Sequence, residues 1–357
     1  MKIIHCSDLH LDSALGSNLS PEMARERNAE LCATFGRMVR FAVRQQVRAV
    51  LIAGDLFDTD QVSGRTADYV LDQIRNAPAV TFFYIRGNHD ECRHPFVGQK
   101  LPENLITFGS SWESHRCDDV VITAMEPDEK GWYEMYDQLK LHEEDTNIVM
   151  LHGQIATQAG AERIALPMLR GRHIQYLALG HLHAYQQTPL DADGVCCYCG
   201  CLEGRGFDEC GEKGFVLLEI CGKTIHSRLI PFASRTLHEI QVDITDTETV
   251  TQILGRLHQA AIGVAREDMV KFVLEGSYTP DTQKDTSFLQ KILEEDFWTV
   301  KVRDESRLRI DPESYRYDAS LKGAFVRLVL DSGCSAERKE QIITCGIRAL
   351  SGEGVVL

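Results

Sequence analysis

Short, continuous apolar runs alternate with longer amphipathic stretches over the first two thirds of the chain. The runs begin at Ile3-Ile4 and recur at Ala49–Ile52, Val80–Ile85, Val120–Ala124, Ile148–Leu151 and Tyr176–Leu179. Apolar runs of strand length without polar alternation predict a sheet covered on both faces. Residues 22–45 and 65–76 place apolar side chains at helical spacing and predict helices between the strands. Val195–Cys199, Gly214–Ile220 and Lys223–Leu229 follow closely, with turn residues and no helix between them, which predicts antiparallel pairing among the three. The pattern is that of an α/β (α+β) fold.

Pro231-Phe232-Ala233-Ser234 interrupts the series, and a second cycle follows. Strands are predicted at Leu237–Asp243, Val270–Leu274 and Trp298–Val302, with helices at Thr249–Ala260 and near Ser287–Glu294. Helices at Leu321–Leu330 and Glu337–Leu350 complete the pattern. The expected division is therefore 1–233 and 234–357.

Composition changes this picture in two respects. The 357 residues carry 38 Lys plus Arg against 53 Asp plus Glu, a formal charge of −15. Such an acidic chain is not a charge-driven nucleic-acid coat protein, because net repulsion opposes a polyphosphate at every approach. Residues 238–357 hold 15 basic and 21 acidic side chains, so both parts share the acidity. The amino terminus turns polar within a few residues, and no apolar run is long enough to span a bilayer, so a cytoplasmic protein without a membrane partner is expected. In that compartment the twelve cysteines are expected to be reduced thiols.

Five short motifs stand where predicted strands end: Asp8-Leu9-His10, Gly54-Asp55, Gly87-Asn88-His89-Asp90, His152-Gly153 and Gly180-His181-Leu182-His183. Ligands of open α/β sheets collect at the carboxyl ends of strands, so the five can converge on one cleft. Their chemistry is that of a metal site, with hard oxygen and borderline nitrogen donors and no thiolate. In Asp8-x-His10 and His181-x-His183, alternate residues of an extended segment point the same way. Seven candidate ligands are too many for one tetrahedral ion and suit two, with a carboxylate such as Asp55 bridging them at roughly 3.5–4 Å. Taken singly, most of these motifs are turn chemistry or chance. All five in this order make that reading untenable.

The ordered set resembles the calcineurin-like metallophosphoesterase superfamily, and within it the SbcD/YhaO-like DNA repair exonucleases. The opening Ile3–Ser13 run, Ala53–Thr59 and the Tyr198–Phe215 segment, with Leu202-Glu203-Gly204-Arg205-Gly206-Phe207 and Gly211-Glu212-Lys213-Gly214, strengthen the resemblance. It covers about residues 1–230; the remainder is similar to a capping domain only in position and β/α pattern. The resemblance implies a four-layer β-sandwich flanked by helices, with a smaller C-terminal β/α capping domain that contacts DNA or a partner. It implies one divalent ion on Asp8, His10, Asp55 and His183, and a second on Asp55, Asn88, His152 and His181. Manganese is expected, with iron, zinc or magnesium as alternatives. A metal-bridging water would be the nucleophile. His89 would stabilise the transition state or protonate the leaving oxygen, and Asp90 would orient it. The implied activity is DNA phosphodiester hydrolysis by an exonuclease or endonuclease in DNA repair. A homodimer and an SbcC/Rad50-like ATPase partner are implied as well. Asp58 departs from the archaeal and eukaryotic pattern, which has a histidine there, and receives no role.

Two other readings keep part of this chemistry. One is a small-phosphoester enzyme; its phosphatase variant is weakened because no arginine follows Asp55 in Gly54–Thr59. The other is a DNA-end-binding subunit with little catalysis, for which a full ligand set would be surplus. Cys196, Cys197, Cys199, Cys201 and Cys210 lack the paired C-x₂-C spacing of a structural zinc site, and on an extended strand Cys197, Cys199 and Cys201 would share a face as small buried hydrophobes. Arg37, Arg40, Arg44 and Arg48 form a helix stripe, read first as a solvated face and second as a phosphate track. Arg86, Arg93, Arg163, Arg170, Arg172 and Arg205, tied in sequence to the ligand motifs, are better candidates for contacting phosphate. Trp112, Trp132 and Trp298 are too scattered for a base-stacking platform.

Overall fold

The computed structural model describes residues 1–15, 19–58, 62–90, 96, 98–128 and 131–350. Thr59 and Arg93 therefore lie outside the described residues. The chain divides into two compact units, Met1–Thr236 and Leu237–Leu357.

In the first unit the chain runs β1 (Lys2–Cys6), α1 (Pro21–Arg44), β2 (Ala49–Ala53), α2 (Gly64–Arg75), β3 (Thr81–Ile85), β4 (Leu105–Thr107), β5 (Glu113–Cys117) and β6 (Val120–Ala124). It continues through α3 (Gly131–Gln138), β7 (Thr146–His152), β8 (Gln154–Ala156), β9 (Arg163–Ala165), α4 (Leu166–Leu169) and β10 (Tyr176–Gly180). The closing strands are β11 (Gln186–Pro189), β12 (Val195–Tyr198), β13 (Gly214–Cys221) and β14 (Thr224–Pro231). Two six-stranded sheets result, ordered β14-β13-β1-β2-β3-β4 and β11-β12-β10-β7-β6-β5.

Alternation along the strands builds four layers. In β2, Val50 and Ile52 join a core with Phe35, Val39, Val70 and Ile74 of α1 and α2. Its other face, Ala49, Leu51 and Ala53, meets Ile122, Ile148, Met150, Tyr176 and Ala178 of the second sheet. Leu177 and Leu179 of β10 turn outward to Met135, Tyr136 and Leu169 of α3 and α4. The central strands are thus buried on both faces, which is why β2, β7 and β10 are continuously apolar.

One expectation is corrected here. Only β13 and β14 form the antiparallel pair. β12 lies in the other sheet, parallel to β10 and antiparallel to β11. Gly200, at φ 74°, follows β12, and Ser7 bridges Cys201 where the chain crosses to the first sheet. The missed β5 and β11 are edge strands with exposed polar side chains, a pattern that protects sheet edges but hides them from a search for apolar runs. Cys196, Cys197, Cys199 and Cys201 are buried, as a strand reading requires, and the described cysteines are all free.

A buried ion pair fixes the segment that leads into the site. Arg27 of α1 is fully buried; Nη2 donates to Glu203 Oε2 at 2.6 Å and to the Gly204 carbonyl at 2.7 Å. Glu203 Oε1 also accepts from Thr34 Oγ1 and from the Ser234 amide, each at 2.6 Å. Ser234 thereby packs with the first unit. Arg27 Nη1 also donates to Glu30 Oε2 at 2.8 Å, so Glu203→Ala leaves the cation partly paired. That variant is expected to cost less in chemical denaturation than the about 3–5 kcal/mol of breaking an isolated buried pair, and Glu203→Gln less again.

His5, on the inner face of β1, is fully buried with Nδ1 2.9 Å from the Tyr176 hydroxyl, and burial lowers its pKa to about 3. Between about 3 and the ordinary 6.5 the unfolded chain binds a proton there that the folded chain does not. This contribution is complete above pH 6.5 and is lost as pH falls toward 3, by up to about 1.4 kcal/mol per pH unit. Stability measured across this range is expected to fall less steeply for His5→Leu than for wild type.

The second unit is a parallel three-stranded sheet of β15 (Leu237–Asp243), β16 (Met269–Glu275) and β18 (Thr299–Asp304), in the order β15-β16-β18. β17 (Ser277–Tyr278) and β19 (Arg307–Leu308) form a short ribbon. Helices α5 (Val250–Ala260) and α6 (Thr286–Leu293) bury Ile253, Leu257, Leu289 and Leu293 in its core. Helices α7 (Leu321–Leu330) and α8 (Ala336–Leu350) share a separate small cluster around Val326, Ile343 and Ile347. No described helix is long and apolar enough to cross a membrane.

Candidate metal centre

The parallel strands β1, β2 and β3 of one sheet and β7 and β10 of the other end together, and each ending carries one of the five motifs. The backbone there is bent into conformations that ordinary side chains avoid. Asp8, His10, Asp55 and His181 adopt φ of 51°, 46°, 50° and 106°. Four such residues at one place mark a site where surrounding structure enforces local strain. Gly54, at φ 93°, and Gly87 complete the turns; a Cβ on the first would collide with the His152 ring and on the second with the Asp55 carboxylate.

The candidate side chains converge in two overlapping groups. Asp8, His10 and His183 form one, and Asp8, Asp55 and His152 the other, with donor atoms within 4.8 Å of one another in each. His10 Nε2 lies 3.1 Å from His183 Nε2 and 3.8 Å from Asp55 Oδ2. Asp55 Oδ2 is also 3.4 Å from His152 Nε2. Asn88 Oδ1 is 3.0 Å from His152 Nε2 and 3.3 Å from His181 Nδ1. Asp55 thus stands between the histidines of both groups. A third group, His10, Asp58 and His89, uses the opposite nitrogen of His10.

Hydrogen bonds orient these donors. Asp8 accepts from Ser7 Oγ and, at 3.0 and 3.2 Å, from the His181 amide. His152 Nδ1 is 2.9 Å from the Ala53 carbonyl, which can only accept, so Nδ1 carries a proton and Nε2 is the nitrogen that faces the site. His183 Nδ1 is likewise hydrogen-bonded to Glu209 Oε1 at 2.6 Å, while His10 Nδ1 stands 2.9 Å from Asp58 Oδ1, at ion-pair distance but not in line for a hydrogen bond. With Nδ1 of both rings turned toward carboxylates, the two Nε2 atoms face one another across the site. Their 3.1 Å separation is close to that of two nitrogens each about 2.1 Å from one ion at a right angle. The donor set fits a divalent cation.

The electrostatics agree. Burial alone would raise the Asp55 carboxyl, yet the adjacent His152 and His10 rings hold it down at about 2. The Asp58 carboxyl lies further below the usual range: its burial is outweighed by His10, Ser13 and Arg205. Despite burial, the Asp55 carboxylate raises His152 to about 9. Burial, with His152 beside it, lowers His181.

The last two motif residues behave differently from one another. The side chain of His89 is 43% exposed, with Nδ1 3.5 Å from Asp58 Oδ1 and its ring 4.8 Å from that of His10. Its amide donates to Asp55 Oδ1 at 2.9 Å. Asp90 was expected to orient His89, but its carboxylate faces backbone. It accepts from the Leu56 and Phe57 amides at 3.1 Å and from the Gly87 amide at 3.2 Å, joining two ligand loops. Burial, with Asp55 nearby, raises its pKa to about 6. The carboxylate beside the His89 ring is Asp58.

A family model described as calcineurin-like phosphoesterase matches residues 1–185. The chain belongs to the calcineurin-like phosphoesterase family. This calcineurin-like phosphoesterase is 24% identical over 344 residues to the uncharacterized metallophosphoesterase YhaO of Bacillus subtilis (strain 168), covering 86% of the chain and 82% of that protein. It is 24% identical over 297 residues to the DNA double-strand break repair protein Mre11 of Aeropyrum pernix, covering 76% and 71% respectively. To the Mre11 of Sulfurisphaera tokodaii it is 23% identical over 348 residues, covering 87% and 84%.

Several arginines singled out from sequence are already engaged. Arg86 Nε pairs with Glu126 at 2.7 Å, and Arg205 Nη1 with Asp58 at 2.8 Å. Arg37 of α1 donates to the Phe232 carbonyl at 2.9 Å, so the stripe is partly tied down; Arg48 lies beyond the end of α1 at Arg44, outside the expected stripe, and pairs with Asp118 at 2.8 Å. Arg163 and Arg170 are exposed. Beside Asn88 and His152 opens a cavity of about 310 Å³, lined also by Arg86, Met125, Trp132 and Glu162. Sequence reasoning missed Glu209. It lies inside the Tyr198–Phe215 segment, but nothing in the local pattern separates it from its neighbours Asp208 and Glu212.

Proposed function

We propose that this metallophosphoesterase is a two-metal phosphodiesterase that hydrolyses DNA as an exonuclease, with endonuclease activity at the same site, in DNA repair. The observation that carries the reading is Asp55 standing between two sets of inward-facing donors. Asp8, His10, Asp55 and His183 would hold one divalent cation, and Asp55, Asn88, His152 and His181 the other. When bound, the pair would supply Lewis-acid activation of water and of the phosphoryl oxygens. Oxygen and imidazole donors without thiolate suit manganese.

The chain's own groups do the rest. His89, the exposed imidazole of the set, protonates the leaving oxygen, with Asp58 beside Nδ1 holding the ring. The strained turns keep Asp8, His10, Asp55 and His181 aimed before substrate arrives. DNA as substrate is supported by the likeness to the Mre11 proteins, which extends over most of the chain. A net charge of −15 predicts weak, salt-sensitive DNA affinity for the chain alone. This favours an SbcC/Rad50-like ATPase that grips DNA while this chain cuts, with the second unit as capping domain.

A small phosphoester is the second reading, favoured by the cavity of about 310 Å³ that opens beside Asn88 and His152. Incubation with manganese and, in parallel, linear duplex DNA, single-stranded DNA and bis-p-nitrophenyl phosphate separates the two. Cleavage of DNA is expected. Turnover of the small ester with both DNAs intact would establish the second reading instead.

A further inference from the structure

We infer that Glu209 and Asp58, joined by Arg205, make the two metal positions unequal. The position holding His10 and His183 takes its divalent cation first and more tightly than the position holding Asn88, His152 and His181. The inference rests on the two-metal reading proposed above and goes beyond it by ranking the positions and assigning the cause to residues outside the ligand set.

The asymmetry lies in what stands behind each imidazole. His183 Nδ1 faces the Glu209 carboxylate at 2.6 Å and His10 Nδ1 faces the Asp58 carboxylate at 2.9 Å. His152 Nδ1 faces only the neutral carbonyl of Ala53, at 2.9 Å. His181 turns Nδ1 inward, 3.3 Å from Oδ1 of its fellow ligand Asn88. A carboxylate behind an imidazole pulls on the Nδ1 proton, fixes the tautomer and makes Nε2 the better donor. Both histidines of one position have a carboxylate within 3 Å of Nδ1, whereas among the described residues no carboxylate stands within ion-pair reach of His152 Nδ1 or His181 Nε2.

The support is itself rigidly held. Glu209 is buried, 5% exposed, and accepts from the Arg205 amide at 2.7 Å and from Arg205 Nη2 at 2.9 Å. The same guanidinium reaches Asp58 Oδ1 through Nη1 at 2.8 Å, so one side chain ties both carboxylates together. Asp58 is anchored further by Ser13 Oγ at 2.6 Å. The backbone carbonyl of His183 accepts from Lys213 Nζ at 2.7 Å and from the Cys201 amide at 3.3 Å. The ring of His183 is therefore fixed from both ends. Glu209, Asp58 and Arg205 are positioning residues; they act through His10 and His183.

The test uses the full chain stripped of metal and titrated with Mn²⁺ while free Mn²⁺ is followed by electron paramagnetic resonance. Wild type is expected to show two classes of site, one tighter than the other. Glu209→Ala should weaken the tight class about 10–100-fold and leave the weak class in place. Glu209→Gln, whose amide oxygen still accepts from Nδ1, should recover much of that loss. Nitrogen-15 spectra of the metal-free chain give a readout independent of loading. His183 is expected as the Nδ1–H tautomer in wild type and Glu209→Gln, and as a mixture in Glu209→Ala. Two equal classes in wild type, equal weakening of both classes by Glu209→Ala, or an Nε2–H His183 in wild type would each overturn the inference while leaving the two-metal reading intact. If Glu209→Ala does not fold, the wild-type titration, the wild-type tautomer and Glu209→Gln decide the matter. Failure of wild type to bind Mn²⁺ at all would instead remove the two-metal reading, and this inference with it.

Discussion

Asp55→Asn is expected to lower DNA cleavage by more than about 100-fold, the upper end of what losing an outer-shell partner costs a metal enzyme. The variant should also bind less metal at both positions rather than one. Asparagine keeps the shape and can still accept from the His89 amide, so the change isolates the charge. That charge matters because Asp55 Oδ2 lies 3.8 Å from His10 Nε2 and 3.4 Å from His152 Nε2, in reach of both donor sets. Burial disfavours the anion, yet the carboxyl is held down at about 2 by its histidine neighbours, so the site is built around a full negative charge there. Elemental analysis after dialysis against manganese, alongside the cleavage rate, reads both effects. A variant with full metal content would remove the bridging assignment. By contrast, His152→Ala is expected to deplete one position and leave the other.

His89→Ala is expected to lower the rate of DNA cleavage by about 10²–10⁴-fold, the usual contribution of a positioned general acid, with metal content unchanged. The loss should be smaller with bis-p-nitrophenyl phosphate, because nitrophenolate leaves readily without a proton whereas a sugar alkoxide does not. This comparison matters because His10, Asp58 and His89 also form a group able to hold an ion. If His89→Ala lost metal along with activity, His89 would belong with the ligands. Its 43% exposure, against near-complete burial of His10 and His152, favours the acid role, since a proton donor must meet the substrate.

The sequence was most legible where chemistry and burial coincide. Asp8, His10, Asp55, Asn88, His152, His181 and His183 could be picked out because polar residues directly following buried apolar strands need partners, and five such places in one chain share one explanation. Strands β2, β7 and β10 were visible because burial on both faces leaves them continuously apolar. Other features depended on contacts between residues far apart in the chain. Glu209 matters because the fold brings it to His183, and Asp58 because it meets His10, His89 and Arg205 together. The role expected of Asp90 followed from adjacency to His89, whereas a tight 3₁₀ turn over Asn88–Asp90 points it back at the Leu56 and Phe57 amides. The pairing of β12 was likewise set by the turn at Gly200, which carries the next residues into the other sheet.

Nucleotide release from end-labelled linear duplex DNA, measured with metal-stripped chain as Mn²⁺ equivalents are added, tests the central claim most directly. No release is expected without metal, little while only the first equivalent is bound, and a steep rise as the second position fills. Intact DNA at saturating manganese, under conditions where the same preparation hydrolyses bis-p-nitrophenyl phosphate, would contradict the account.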